Sequence, residues 1–272
     1  MAHPEHLALL KEGGTLWNQW RSDHPEIEPD LTNIDFEEMD LNGVNLCGAD
    51  LRGSSHSLEM DGMDLQRINL SGEDCGYGGF KQTNLSEANL SGACFDSALF
   101  TDVNLQGANL SEAFLEQAMF TRTNLRGANL SRIVATWVYL PEANLSQANL
   151  SWAELSGADL KGANLCEANL HQANLSSRPL DWEEHPQSQF ERVNLSEADL
   201  RGADLSHANL NEADLSSANL RGANLEQARV EGANFQGADL RGIPWTIIMT
   251  LTAQTGTNFE GTLWDPPEEE TR

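Results

Sequence analysis

The sequence has few basic residues and few cysteines, and each shortage narrows what the chain can be. Lysine and arginine number 16 against 42 aspartates and glutamates, which gives a formal net charge of −26. Such an acidic chain is unsuited to nonspecific binding of nucleic acid or of an anionic membrane surface. We therefore expect no direct nucleic-acid binding and no membrane association.

The four cysteines, Cys47, Cys75, Cys94 and Cys166, have neither the spacing of a zinc site nor one that would stack them in pairs. We expect reduced thiols in a cytoplasmic protein. The N-terminus lacks a basic stretch followed by an apolar one, and no apolar run approaches the roughly 18 residues of a membrane span. These features predict an unexported, soluble protein.

Recognisable catalytic motifs are also missing. The seven histidines form no two-ligand metal spacing, no glycine-rich phosphate loop follows a strand, and no nucleophile elbow occurs. A column of serines has no neighbouring base to activate a nucleophile. We expect no catalytic residue, no metal site and no cofactor.

What the sequence does contain is a five-residue period. Leu or Phe returns at every fifth position with few gaps, in units such as ANLSQ (143–147), ADLKG (158–162), ANLRG (218–222) and ANFQG (233–237). A period of five is neither helical nor a simple strand alternation. The Leu and the residue two before it, usually Ala, must point inward together, and tight turns close the units into a coil.

These units resemble the pentapeptide-repeat family, and the resemblance covers residues 29–264. It implies an all-β solenoid, a right-handed quadrilateral β-helix with four units, or twenty residues, per coil. Counting units gives about 11 coils and, at roughly 4.8 Å per coil, a rod on the order of 50 Å long. A short N-terminal helical cap precedes it, in a segment that resembles the N-termini of cyanobacterial members.

The predicted organisation has three parts with several irregular points. Residues 1–28 form the helical cap and residues 265–272 an acidic tail. In the β-helix between them, the repeat frame shifts near 52–60 and 246–256, which predicts irregular turns. Residues 176–190 would place charged side chains inside the coil and are therefore predicted to bulge out as a loop.

The two ends need cover, because an open β-helix end exposes unpaired backbone. The N-terminal segment has apolar residues at helical spacing, namely Leu7, Leu10, Trp17 and Trp20. This spacing predicts a helix or helical pair over the first coil. The apolar stretch 243–251 closes the last coil, or it pairs two chains into a homodimer, as the C-terminal ends of the family's dimeric members do. Both interpretations remain open.

Residues twenty apart stack, so the outward position before each Leu or Phe forms four columns. Two columns are almost pure Asn and Asp, typical of amide ladders. The other two columns become apolar over three successive coils, one with Cys94, Phe114 and Val134 and its neighbour with Leu99, Met119 and Tyr139. Trp137 lies at the corner between these two columns. Trp152 extends the patch onto the next face.

A contiguous exposed apolar patch marks a contact surface more often than not. We predict that these seven residues bind a protein partner or a second copy. Two alternatives remain open: the N-terminal segment or the 176–190 loop covers the patch, or the local turns tolerate apolar residues. Inside the coil, Met60, Phe80, Phe100 and Phe120 stack, which indicates core packing.

Two functions follow for a chain that we expect to be no enzyme. The first is a scaffold that presents a rigid surface to an unidentified protein partner. The second comes from the resemblance, because some members mimic duplex DNA and inhibit or protect a type II topoisomerase (gyrase). A basic stripe read as Lys161, Asp181, Arg201, Arg221 and Arg241 argues against this mimicry. An enzyme would need a ligand-sized pocket under the 176–190 loop.

Overall fold

The structure, a computed structural model, describes residues 2–36, 39, 41, 43–54, 60–177 and 188–265. Within these ranges the chain forms a coil of five-residue units. Parallel backbone bridges join residues twenty apart along four sides, so that each coil stacks on the one before it. The four-sided β-helix implied by the resemblance is therefore the architecture of this chain.

Each side carries one outward column, and we number the faces by these columns. The first face holds Asp64, Asn84, Asn104 and Asn124, and the second holds Asn69, Asn89, Asn109 and Asn129. The third face holds Asp74, Cys94, Phe114, Val134 and Glu154, and the fourth holds Gly79, Leu99, Met119, Tyr139 and Asp159.

The corners between faces explain the sequence of the unit. Leu105 and Ala108 are fully buried, and the two residues between them form the turn. The second corner residue is left-handed even where it is not glycine, as at Glu87 with φ of 59°. This conformation costs energy for an L-residue. The Glu87 N–H donates to the carbonyl oxygen of Gln106 in the next coil, at 2.9 Å, which offsets the cost.

Amide ladders run along the first two faces, as the sequence predicts. Nδ2 of Asn104 donates to Oδ1 of Asn84 at 3.1 Å, and Nδ2 of Asn124 donates to Oδ1 of Asn104 at 3.0 Å. The same Oδ1 of Asn104 accepts the backbone N–H of Gln106, at 3.3 Å. Each amide thus holds its own corner and the neighbouring coils.

On the fourth face three coils are extended enough to form strands: β1 (Gly79–Lys81), β2 (Leu99–Thr101) and β3 (Met119–Thr121). They make one parallel sheet in the order β1-β2-β3. Their central residues are phenylalanines that stack inside the coil. Ring centroids lie 4.9 Å apart for Phe80 and Phe100 and 4.5 Å apart for Phe100 and Phe120.

Two helices cover the first coil, α1 (Pro4–Lys11) and α2 (Gly14–Asp23). Trp17 is fully buried, and its Nε1 donates to the carbonyl oxygen of Asn45 at 2.8 Å. The backbone N–H of Asp30 donates to Nδ1 of His6 at 3.1 Å. Of the two arrangements that the spacing allowed, the structure has the helical pair.

The last coil contains a third helix, α3 (Trp245–Thr252), where the sequence predicted an irregular turn and an apolar segment that closes the coil or pairs two chains, but no helix. Bridges across it join residues twenty-four apart, Asn234 with Asn258 and Asp239 with Leu263. Ile248 and Leu251 are buried, so α3 packs its apolar side on the coil. The short apolar run alone could not distinguish a helix from a strand.

The other predicted frame shifts fall partly outside the described residues. Asp50 pairs with Asn69, nineteen residues on, but residues 55–59 are not described. Bridges across the predicted 176–190 loop join residues thirty apart, so that coil contains ten additional residues. Of the predicted loop, residues 178–187 lie outside the described residues, whereas 176–177 and 188–190 belong to the coil.

The predicted acidic tail lies outside the described residues from position 266 onward. In the part of the chain that the structure describes, none of the three helices is long and apolar enough to cross a lipid bilayer.

Candidate functional site

The two apolar columns predicted from the sequence lie on adjacent faces of the coil. They fill outward positions that hold Asn or Asp on the first two faces. With the residue at the corner between them they form what we call the apolar corner: Cys94, Phe114 and Val134 on the third face, Leu99, Met119 and Tyr139 on the fourth, and Trp137 between the faces. The structure therefore places all seven residues in one region.

Five of these side chains are exposed. Leu99 and Phe114 are 48% and 47% exposed, and Met119, Tyr139 and Val134 lie between 37% and 41%. Large apolar side chains that are exposed close together on a monomer often mark a functional surface. An Asn at these positions could join a ladder, and an apolar side chain gains no such bond.

The fourth-face column is held from inside by the phenylalanine stack. Side chains alternate along a strand, so Leu99 and Met119 point outward while Phe100 and Phe120 point inward. The Phe100 and Phe120 rings lie within 1° of parallel. The exposed column is therefore mounted on a tightly packed core.

Cys94 and Trp137 are half-buried and differ from the other five. The indole of Trp137 lies over Gly157 of the next coil. Burial raises the pKa of the Cys94 thiol, which keeps it protonated and a poor nucleophile. Cys94 therefore contributes apolar surface to the corner, with little thiolate chemistry.

Acidic residues divide the apolar corner, which the sequence predicted to be contiguous. The five-residue unit places two corner residues between adjacent faces, here Asp96–Ser97, Glu116–Gln117 and Thr136–Trp137. Oδ1 of Asp96 accepts the backbone N–H of Glu116 at 2.9 Å. A polar strip with two carboxylates therefore runs between the two apolar columns.

Further acidic residues border the apolar columns. Asp74 precedes Cys94 on the third face, and Glu154 and Asp159 follow the last apolar residues of the two columns. Beyond the fourth face, Arg122 Nε and Asp102 Oδ1 form an exposed ion pair at 2.6 Å, and Glu142 occupies the corresponding corner one coil on. The surroundings of the apolar columns carry more negative than positive charge.

Tyr77 is an exposed aromatic residue that the sequence reasoning missed. Its side chain is 85% exposed, at the same corner as Ser97, Gln117 and Trp137 but closer to the N-terminus. Reading corner positions at twenty-residue spacing would have found it. Trp152, which the sequence did single out, is exposed at the neighbouring corner and lies edge-on to His171, with ring centroids 6.2 Å apart.

The N-terminal helices do not cover the apolar corner. Nδ2 of Asn18 donates to the carbonyl oxygen of Gly43 at 2.7 Å, and Arg21 donates to the carbonyl oxygens of Ile27 and Cys47. These contacts keep α1 and α2 at the first coil.

The ten-residue insertion begins at the corner between the third and fourth faces. The backbone N–H of Ser188 donates to Oγ of Ser177 at 2.8 Å, and Oγ of Ser188 donates to the carbonyl oxygen of Ser176. Because residues 178–187 lie outside the described part, cover by this loop stays a prediction.

One residue of the predicted basic stripe, Lys161, does not stack with the arginines. The insertion changes the stacking, so that Lys161 pairs with Glu191, Nζ to Oε2 at 3.0 Å. Arg201, Arg221 and Arg241 do share one corner, and two of them form ion pairs within their own coils, with Asp199 and Asp239 at 2.6 Å. Asp181 lies outside the described residues.

Metal and thiol chemistry find little support among the described residues. No group of three or more His, Cys, Asp or Glu side chains there could hold a metal ion. All four cysteines are free, and burial strongly raises the pKa of the Cys75 thiol.

Comparison with known proteins identifies the family. The model for pentapeptide repeats matches in eight copies, over residues 30–72, 64–102, 98–134, 143–177, 188–227 and 208–243. Among solved structures, HetL of the cyanobacterium Nostoc sp. strain PCC 7120, a pentapeptide repeat protein involved in heterocyst differentiation regulation, is 32% identical. The match covers 78% of this chain and 86% of that chain, with a TM-score of 0.27.

Two other solved structures are similar to this chain. QnrB1, a plasmid-mediated fluoroquinolone resistance protein, is 20% identical over 77% of this chain and 92% of that one, with a TM-score of 0.35. A pentapeptide repeat protein of the Arabidopsis thaliana thylakoid lumen is 29% identical over 48% of this chain and 81% of its own, with a TM-score of 0.20. The curated proteins gave no match. Because the family model matches well over half of its length, this chain belongs to the pentapeptide repeat family.

Proposed function

We propose that this protein is a non-enzymatic interaction scaffold that presents the apolar corner to a protein partner. The observation that carries the proposal is the replacement of ladder-type residues by exposed apolar ones on two adjacent faces over the same three coils. Apolar side chains in water contribute nothing to the ladders, so binding is the role that accounts for their position.

The coil below the surface supports a scaffold role. Neighbouring coils share backbone hydrogen bonds on every side, and Phe100 packs between two parallel rings. A surface that does not reorganise loses little entropy on binding, which favours affinity. We also propose that the β-helix is right-handed and has about 11 coils.

The test compares wild type with a Phe114→Asn, Met119→Asp variant in affinity capture from the source organism's lysate. A matched control, Gln106→Asn with Ser217→Asp, changes two exposed residues at the opposite corner and adds the same charge. We expect a protein that wild type and control retain and the variant loses, with the loss reproduced by calorimetry on the purified pair. Identical retention by all three would reject the apolar corner as the contact.

The alternative, mimicry of DNA toward gyrase, finds support in the net charge of −26. Against it, the first and second faces carry neutral amides over most of their length, and Arg201, Arg221 and Arg241 share one corner. A DNA mimic needs continuous negative charge along one side. Inhibition of gyrase supercoiling that rises with protein concentration would establish this alternative, and an inert protein at tens of micromolar would dispose of it.

A separable proposal concerns self-association through residues 243–251. Helix α3 buries Ile248 and Leu251 but leaves Met249 exposed, and Leu263 on the last coil is exposed as well. Both sit at the C-terminal end of the coil, where a second copy could cover them. A Met249→Lys variant should shift light scattering from dimer to monomer, and a monomeric wild type would leave α3 as a cap only.

We also infer a cytoplasmic location. The four cysteines are free, and reduced thiols are typical of cytoplasmic proteins. Thiol titration of protein purified without reductant should return four free thiols, and a disulfide in freshly isolated protein would contradict this location.

A further inference from the structure

We infer that the partner contributes a basic amphipathic α-helix, which lies along the fourth face on Leu99, Met119 and Tyr139. The inference rests on the proposed function and names the chemistry of the partner. It follows from the spacing of the apolar column and from the charges on either side of it.

The spacing of the column suits the turns of a helix. Leu99, Met119 and Tyr139 stand on successive coils, which are about 4.8 Å apart. Successive turns of an α-helix are about 5.4 Å apart. Over the two steps of this column the two spacings differ by only about 1 Å. A helix parallel to the coil axis therefore sets one apolar side chain beside each of the three residues.

The charges beside the column select a basic helix. Asp96 and Glu116 line the corner toward the third face, and Asp159 follows Tyr139 at the end of the column. At the opposite corner, Asp102 is paired with Arg122, and the carboxylate of Glu142 follows one coil on. Lys81 and Lys161 stand at the two ends of this border, so the corner toward the third face is the more acidic of the two. Lysine or arginine beside the apolar stripe of a helix would reach Asp96 and Glu116 on one side and Glu142 on the other.

The same charges disfavour a second copy of this chain. A symmetric antiparallel pair joined through the fourth faces would place Asp96 and Glu116 of each copy along the same border of the other, and like charges in contact oppose association. An acidic helix would meet the same repulsion. Among helical partners, the basic amphipathic one is the choice that satisfies both the apolar column and its borders.

The experiment uses the full chain and two labelled helical peptides of about 18 residues. Both carry the same leucine stripe, and one has lysine and the other glutamate at the remaining positions. Affinity is measured by fluorescence anisotropy at low and physiological salt. We expect the lysine peptide to bind at least tenfold more tightly than the glutamate peptide, with an affinity that falls as salt rises.

Three double variants test the position of the helix. Met119→Asn with Tyr139→Asn should weaken binding of the lysine peptide about tenfold. Asp96→Asn with Glu116→Gln should weaken it severalfold and flatten its salt dependence, while the amide oxygen of the Asp96→Asn variant still accepts the backbone N–H of position 116 in the next coil. The matched control, Glu87→Gln with Glu197→Gln, removes two exposed carboxylates from the opposite corner and should change affinity less than twofold.

The inference fails if the glutamate peptide binds as well, if the control weakens binding as much as the corner variant, or if the lysine peptide does not bind. A fourth variant, Phe114→Asn with Val134→Asn, separates this failure from that of the proposed function. Loss of the captured partner with this third-face variant alone would overturn the helix on the fourth face and leave the scaffold proposal standing.

Discussion

The indole of Trp137 occupies the space that a side chain at Gly157 would need. Gly157 follows Trp137 by one coil and has a φ of 74°, which L-residues rarely adopt. Gly157→Ala should therefore cost about 1–2 kcal/mol for the left-handed backbone and more for displacing the indole.

Urea unfolding of the Gly157→Ala variant measures the total loss of stability, and Gly127→Ala is the control. Gly127 has a φ of 65° and nothing within 4 Å of its added Cβ, so it reports the backbone cost alone. Gly157→Ala should be the more destabilising substitution, and Trp137→Ser should remove the excess. Equal losses for the two glycines would mean that the indole moves aside freely.

The phenylalanine stack predicts a graded response at position 100. Phe100 packs between Phe80 and Phe120, so Phe100→Ala should lower the free energy of unfolding by about 3–5 kcal/mol. Phe100→Leu should cost under about 1.5 kcal/mol, because Leu140 fills the same position two coils on. Denaturant titration followed by circular dichroism distinguishes them, and similar losses would show that ring stacking is essential.

The amide ladders predict a contrast between Asn109 and Phe114. Oδ1 of Asn109 accepts the N–H of Ser111 at 3.2 Å and Nδ2 of Asn129 at 3.1 Å. Asn109→Ala leaves these donors unpaired and should cost about 1–2 kcal/mol. Phe114→Asn removes an exposed side chain and should change stability by under about 0.5 kcal/mol. A large loss at Phe114 in thermal unfolding would make the apolar column structural.

The N-terminal cap should loosen in acid. Burial, and next the charge of His3, lower the pKa of His6, whose Nδ1 accepts the N–H of Asp30. A lowered folded-state pKa means that the contribution of His6 is complete above the ordinary value of about 6.5 and is lost as the pH falls through the folded-state value.

Hydrogen exchange of residues 4–23 at pH 7.5 and 5.5, corrected for intrinsic rates, should therefore show less protection at the lower pH. His6→Gln removes the titrating group while His3 and His24 remain. The pH effect should shrink in this variant, and an unchanged effect would show that His6 is not the group responsible.

The regular part of the fold could be predicted because each unit repeats one local rule. Leu105 and Ala108 are interchangeable with their equivalents in other coils, and their period alone predicts which side chains are buried. The columns follow from the same count, which alone predicts that Phe114 and Met119 lie on adjacent faces, as they do. The neighbours of these columns could be predicted only in coils that contain twenty residues.

The rest depends on interactions that the period does not contain. Lys161 was assigned to the wrong column because the insertion adds ten residues to one coil. Helix α3 was missed because eight residues with a short apolar run suit a strand as well as a helix. Asp96 and Glu116 divide the apolar corner, a relation that appears only when corner positions are read together with the faces.

The thirty-residue spacing across the insertion shows that the coils on either side keep the same columns. Extra residues within one coil therefore leave the alignment of the other coils unchanged, and each residue is defined by its coil and its column. Excising residues 205–224 would join Asp204 to Leu225 and restore the repeat unit. The shortened rod should keep the apolar corner unchanged and bring it one coil closer to the C-terminal end.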